Sequence, residues 1–86
     1  MPRISEFYGI VIAMFYNDHE PPHFHAIYGE YQAAIAIEAA LLLRGELPRR
    51  AFNLVSEWAD LHRSELLENC RKAREHAELL RIAPLD

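Results

Sequence analysis

Residues 7–16 form an uncharged run that limits the folds open to this chain. The run reads Phe-Tyr-Gly-Ile-Val-Ile-Ala-Met-Phe-Tyr, is rich in β-branched and aromatic residues, and contains no helix breaker after Gly9. Such runs are typical of strands that are covered on both faces. We therefore predict that residues 7–16 are the central strand of a sheet.

Further strands are predicted after this run. Residues 23–28 form the second strand, Gly29-Glu30 is a candidate for a tight turn, and residues 31–38 form the third. Three residues of the third strand share a face: Ala33, Ile35 and Ile37. Residues 39–44 fit either a short extra strand or a helical turn, and we favour the strand. The sequence therefore predicts an antiparallel meander of three to four strands.

A helical pattern begins at Pro48, because proline is tolerated at the first helical position. The apolar stripe of this helix should lie on the sheet. Its members are Ala51, Leu54, Val55, Trp58, Leu61 and His62. The stripe shifts in phase beyond Arg63, which fits one long curved helix or a second helix that starts near Ser64.

The predicted fold is a single α+β domain over residues 1–86, with an N-terminal antiparallel sheet and a long C-terminal helix packed on it. Residues 1–45 form the meander, residues 46–76 are helical, and residues 77–86 form a tail. The tail carries Leu79, Leu80, Ile82 and Leu85, so we expect it to pack back on the domain or on a partner. A chain of 86 residues is also small enough to gain stability by self-association.

Composition excludes some classes of function. A net charge of -4, from 13 acidic and 9 basic residues, argues against a broadly basic nucleic-acid-binding surface but leaves room for a local patch. Cys70 is the only cysteine, so neither an intrachain disulfide nor a zinc site with paired cysteines is expected. The sequence shows no signal-peptide pattern and no run of about 18 apolar residues. We expect a soluble, cytoplasmic protein without membrane contact.

Residues 17–26, Asn-Asp-His-Glu-Pro-Pro-His-Phe-His-Ala, contain three of the five histidines. His23 and His25 are two positions apart, so both rings should project from one face of an extended strand. Pro21-Pro22 stiffens the chain before them and holds His19 within reach. Three imidazoles are therefore expected to converge.

Three interpretations of this cluster are open. His19, His23 and His25, with Asp18 or Glu20, have the donor types of a catalytic site for zinc or another divalent transition metal. Without a metal, one histidine can accept a proton from a ribose 2′-hydroxyl while another protonates the leaving oxygen. Alternatively, the histidines are structural and function lies in a binding surface such as a strand edge.

RNA chemistry would also need cations for phosphate and rings for stacking. The candidate cations are Arg3, Arg44, Arg49 and Arg50, and the candidate rings are Tyr16, Tyr28 and Tyr31. We select Asp18, Tyr16, Tyr28, Arg49 and Arg50 as the supporting or substrate-binding set around the histidines.

Several segments also carry a resemblance to a known family. They are residues 4–12, the string Asp-His-x-Pro-Pro-His-Phe-His-Ala at 18–26, residues 28–31 and 45–48, and the helix with Trp58 and His62. In these segments the chain resembles the small prokaryotic domain of unknown function 4160 family. That resemblance implies no established reaction.

The resemblance implies a genetic context, because such genes resemble one half of two-gene units. The second gene commonly encodes a small protein of the domain of unknown function 2442 family. We therefore expect this chain to be one component of a two-protein toxin–antitoxin-like module, with the His-rich turn as its functional surface. The role of toxin is one of the two roles open to the chain in such a module. A metal-dependent hydrolase using His19, His23 and His25 and a non-catalytic protein-binding module are the alternatives.

Overall fold

A computed structural model describes residues 3–16 and 21–86, and its sheet has five antiparallel strands in sequential order. The strands are β1 (Arg3–Phe7), β2 (Ile10–Ala13), β3 (His23–Tyr28), β4 (Tyr31–Ala36) and β5 (Leu41–Gly45). A short 3-10 helix, Glu38–Ala40, joins β4 to β5, and the helices α1 (Arg49–Leu61) and α2 (Arg63–Arg74) follow. The predicted α+β class is confirmed, whereas the prediction of three to four strands is wrong. Of the two alternatives left open for the helical region, one long helix is wrong and a second helix is present.

The additional strand arises because residues 7–16 do not form one continuous strand. Phe7 pairs with Ile10, so Tyr8 and Gly9 form a two-residue turn between β1 and β2. Their φ angles are 51° and 78°, and positive values at both positions are required by the type I′ turn of tight hairpins. The run is therefore a hairpin, and β3 rather than residues 7–16 is the central strand.

Alternation along β3 assigns its residues to the two faces of the sheet. Phe24 and Ala26 are fully buried on the face that packs against the helices, which we call the core face. Trp58 of α1 and Leu66 of α2 belong to the same hydrophobic cluster. His23, by contrast, lies on the opposite side of the sheet, which we call the open face, although His23 itself is only 7 % exposed. The core thus lies between one sheet face and two helices.

The two helices meet at His62. This residue has φ -120° and ψ 27°, which ends α1 and precedes α2. The backbone N–H of His62 donates to the carbonyl of Trp58, and the carbonyl of His62 accepts from Leu66. The break therefore lies two residues before the Ser64 considered from the sequence. Among the described residues, no helix combines the length and the apolar character needed to cross a membrane.

The tail runs back along the domain and covers the edge of β1. The N–H of Ile82 donates to the carbonyl of Ile4 over 2.7 Å, and Ile82 is buried. Asn69 of α2 holds the tail from its other side: its Nδ2 donates to the carbonyl of Leu80 over 2.7 Å, and its Oδ1 accepts from the N–H of Leu80 over 3.0 Å. The tail therefore packs on its own domain.

Replacing Asn69 by Ala should release the tail. Asn69 is buried, so the change leaves two polar groups of Leu80 without their partners, and the free energy of unfolding should fall by about 1–3 kcal/mol. Urea denaturation measures the loss, and hydrogen exchange at the Leu80 amide should accelerate. The matched control is Asn53→Ala on the exposed side of α1, which should change stability by less than about 0.5 kcal/mol. Equal stability of the two variants would contradict this role of Asn69.

Candidate functional site

His23 and His25 lie side by side on the open face of the central strand. Their ring centroids are 5.1 Å apart, with an angle of 66° between the ring planes. The two residues are only 7 % and 8 % exposed. Neighbouring side chains must therefore cover both rings. The pair and these neighbours make up the candidate site.

The two prolines before β3 orient its first histidine. The carbonyl of Pro22 accepts a hydrogen bond from the N–H of Ile37 over 3.1 Å, which ties the approach segment to the end of β4. The carbonyl of Pro21 lies 2.8 Å from Nδ1 of His23. Because a carbonyl can only accept, Nδ1 carries the proton in the neutral ring and the lone pair lies on Nε2.

Aromatic rings surround the histidine pair. Phe15 contacts His25 edge to face, with centroids 4.4 Å apart. Tyr16 and His23 line a small cavity that also reaches Cys70 and Arg74 near the end of α2. Residues from β3, from the segment after β2 and from α2 therefore meet at this end of the sheet.

His76 joins this group through the C-terminal cap of α2. The N–H of Ala77 donates to the carbonyl of Lys72 and the N–H of His76 donates to that of Ala73, which is the Schellman pattern. His76 has a φ of 57°, although glycine is the usual residue at this position. Its ring stacks on Tyr16 with centroids 5.9 Å apart and an angle of 11°. We call His23, His25, Tyr16 and His76 the histidine surface.

Sequence reasoning did not select His76, because nothing local marks it. It follows the last turn of α2 and is separated from the other members by most of the chain. Only the cap geometry brings its ring to Tyr16. An isolated histidine after a helix is otherwise an ordinary surface residue.

The other predicted site residues lie elsewhere. Tyr28 is at the opposite end of β3 from His23, about 16 Å along the strand. It lines a groove there together with Arg50. Arg49 lines a different groove, beside β5. Of the predicted supporting residues described by the structure, only Tyr16 is therefore beside the histidines.

Asp18 and His19 lie outside the residues that the structure describes. Within residues 3–16 and 21–86, no group of three or more His, Cys, Asp or Glu side chains is arranged to hold a metal ion. Two of the three predicted ligands, His23 and His25, are adjacent. The metal interpretation therefore depends on His19 as the third ligand.

Arg71, which is exposed on α2, is bound to two carboxylates. Arg71 hydrogen-bonds to Glu68 and also to Glu75, the latter over 3.0 Å. The hydrogen bond from Arg71 lowers the pKa of the Glu68 carboxyl below its ordinary value. Arg71 is therefore a poor candidate for contacts with an anionic ligand.

A family model described as Domain of unknown function (DUF4160) matches residues 9–70. The match covers most of the chain, from the β1–β2 turn to Cys70 in α2, and includes both His23 and His25. The chain belongs to this family. The expected membership is thus confirmed. No curated protein and no solved structure matches the chain.

The hydrogen bond to Pro21 predicts the tautomer of His23. Nitrogen NMR of the selectively labelled protein should show the proton on Nδ1 of the neutral ring, since Pro21 offers only an acceptor. Replacement of His23 by Ala identifies its resonances. A neutral His23 with its proton on Nε2 would contradict the described orientation of the ring.

Proposed function

We propose that this chain is one component of a two-protein toxin–antitoxin-like module and that it supplies the toxic activity. In this proposal the partner docks on strand β5, and the histidine surface is the functional surface. The observation that carries the proposal is the difference between the two edges of the sheet.

One edge is covered and the other is exposed. The tail covers β1, where Ile82 donates a hydrogen bond to Ile4. Within the described part of the chain, β5 pairs only with β4, and two of its residues, Leu41 and Leu42, are 61 % and 43 % exposed. An edge strand with exposed apolar side chains is a template for the addition of another strand. This difference favours β5 as the docking edge.

A groove beside β5 provides a pocket for side chains of the added strand. Leu42, Leu47 and Phe52 line it together with Arg49, so an apolar floor has a positive charge at its border. In strand addition, main-chain hydrogen bonds supply affinity and such pockets supply specificity. A partner strand with alternating apolar residues and an acidic residue near Arg49 fits this groove.

The resemblance described above names the class of partner, a small protein of the domain of unknown function 2442 family encoded nearby. The histidine surface favours the toxic role, because two adjacent imidazoles are groups that can transfer protons near neutral pH. A neutralising partner would need only a complementary surface.

The docking edge is tested by Leu41→Lys. A charge on the exposed edge should weaken binding of the purified partner about tenfold or more, because a buried apolar contact is replaced by an ammonium group that loses water. Isothermal titration calorimetry measures the dissociation constant, and circular dichroism verifies the fold.

Leu61→Lys is the matched control. Leu61 is 67 % exposed at the end of α1, so the same change in charge and volume occurs away from β5. Its dissociation constant should equal that of the wild type. If both lysine variants bind the partner as tightly as the wild type, docking on β5 is refuted.

A metal-dependent hydrolase is the second candidate, and the orientation of His23 favours it. Metal-binding histidines usually donate their other ring N–H to a carbonyl or carboxylate, as Nδ1 of His23 does toward Pro21. This geometry presents Nε2 as the coordinating atom, with His25 beside it. His19 would complete the ligand set for a divalent transition metal such as zinc.

Elemental analysis of tag-free protein purified without chelator tests this candidate. Near-stoichiometric metal in the wild type should disappear in the His23→Ala/His25→Ala double variant, because each substitution removes one imidazole ligand. His62→Ala is the control, since Nδ1 of His62 is already bound to Glu65 over 2.6 Å. Metal-free wild-type protein that remains metal-free after incubation with zinc would exclude the hydrolase candidate.

A further inference from the structure

We infer that a groove at the end of the sheet opposite the histidines binds a nucleotide, with the base against Tyr8 and Tyr28 and the phosphate on Arg50. The groove lies between the β1–β2 turn, the end of β3 and the first turn of α1, and we call it the tyrosine groove. It shares no residue with the histidine surface or with the groove beside β5. A ligand here therefore needs neither the histidines nor the docking edge.

The tyrosine groove exists because the helices cover the core face of the sheet less completely at this end. Tyr28 is opposite Ile10 in the strand register, so both side chains belong to the core face. Phe24 and Ala26, earlier on the same face of β3, are fully buried, whereas Tyr28 is 37 % exposed. Ile10 and Leu54 of α1 also line the groove. The groove is thus an opening at the border of the core that is accessible from outside.

Both tyrosines present ring surface to this opening. Tyr8 is 58 % exposed, and in the part of the chain that the structure describes neither ring is stacked on another aromatic ring. The ring of Tyr28 lies beside the β1–β2 turn, where a Cβ at Gly9 would be 3.6 Å from Cε1 of Tyr28. Gly9 places no side chain there. The two rings are therefore surfaces on which a planar base can stack.

The backbone of Tyr8 indicates that its side chain is kept for a contact. Its φ of 51° lies in the left-handed region, which is unusual for a bulky residue, and asparagine or glycine is the usual residue in this type of turn. The exposed ring gains little from burial in return. Backbone strain without a packing benefit is typical of a functional contact.

Arg50 supplies the positive charge of the tyrosine groove. It is exposed and forms no salt bridge with any residue that the structure describes. The first turn of α1 contains Arg49 and Arg50 and no acidic residue, although the helix dipole favours carboxylates and disfavours cations at this end. None of the described residues that line the groove is acidic. An anionic ligand supplies the negative charge that this region lacks.

A planar ring and an anionic group on one molecule identify a nucleotide. The tyrosine rings select a flat base, and the guanidinium of Arg50 can bind two phosphate oxygens at once. The groove has a volume of about 330 Å³, near the lower end of the range of about 300–1,000 Å³ for small-molecule sites, which suits one nucleotide unit. A free mononucleotide and the 5′-terminal nucleotide of an RNA chain carry the same chemistry, and the experiment separates these two sources.

Titration of the isotope-labelled protein with AMP and adenosine, followed by NMR, tests the inference. AMP should bind the wild type about tenfold more tightly than adenosine, because only AMP offers a phosphate to Arg50. Arg50→Ala should remove this preference by weakening the binding of AMP alone.

Tyr8→Asn separates binding from folding. It should weaken both ligands about tenfold, because a stacking surface is lost, while the melting temperature stays the same or rises, because asparagine suits the turn. Tyr8→Phe keeps the ring and should bind both ligands as the wild type does. A fall in melting temperature with unchanged affinity in Tyr8→Asn would assign Tyr8 to the fold and overturn its role in binding.

Arg81→Ala is the matched control, because Arg81 is also exposed, lies in the tail and forms no salt bridge with any described residue. It should leave both dissociation constants unchanged. A 5′-phosphorylated tetra-adenylate that binds more tightly than AMP assigns the groove to an RNA end, and equal or weaker binding assigns it to a free nucleotide. The inference is overturned if neither AMP nor the oligonucleotide binds, if the preference for AMP survives Arg50→Ala, or if Arg81→Ala loses as much affinity.

Discussion

Trp58 is fully buried where the sheet, α1 and the tail meet. Its ring contacts Phe7 of β1 and Phe24 of β3 at centroid distances of 5.4 Å and 5.9 Å. Its indole N–H donates to the carbonyl of Ala83 over 2.9 Å, so the same side chain also positions the tail. Burial of a side chain of this size stabilises a domain by about 3–5 kcal/mol, a large part of the usual total. Trp58 and Asn69 together therefore hold the tail against the edge of β1.

The packing around Trp58 also separates stability from function. The helices occupy the core face, so the large apolar side chains are used there, and the open face retains small and polar residues such as Ala34 and His25. The histidine pair stands on β3, which has a neighbouring strand on each side. A site on a central strand is held by hydrogen bonds from both sides and keeps its geometry better than a site on a loop. The candidate site thus has rigid support without being part of the core.

The fold could be predicted where local pattern decides structure. The bounds of β3 and the Gly29-Glu30 turn follow from alternation and turn composition, and the adjacency of His23 and His25 follows from the same period of two. The turn at Tyr8 was missed, because its left-handed backbone is unusual for a tyrosine and the residues around it look like one strand. The phase shift of the apolar stripe indicated a discontinuity in the helix, but not that it lies at His62.

The composition of the candidate site was less predictable, because it depends on packing between distant segments. Tyr28 and Arg50 have suitable chemistry, yet the length of β3 carries them to the other end of the sheet. His76 has no distinguishing neighbours in the sequence, yet the cap of α2 brings it to Tyr16. The register of the four strand pairs, including a bulge in β5, was not derivable from the sequence pattern.

The alternation in β3 has a consequence for how this family can evolve. Positions 24 and 26 pack in the hydrophobic core, whereas positions 23 and 25 pack against each other and against Phe15 on the opposite side of the strand. The two sets are therefore constrained by different neighbours. Insertion or deletion of one residue in β3 would exchange the two sets, placing imidazoles in the core and moving Phe24 out of it. Selection should thus allow this strand to vary in composition while keeping its length constant.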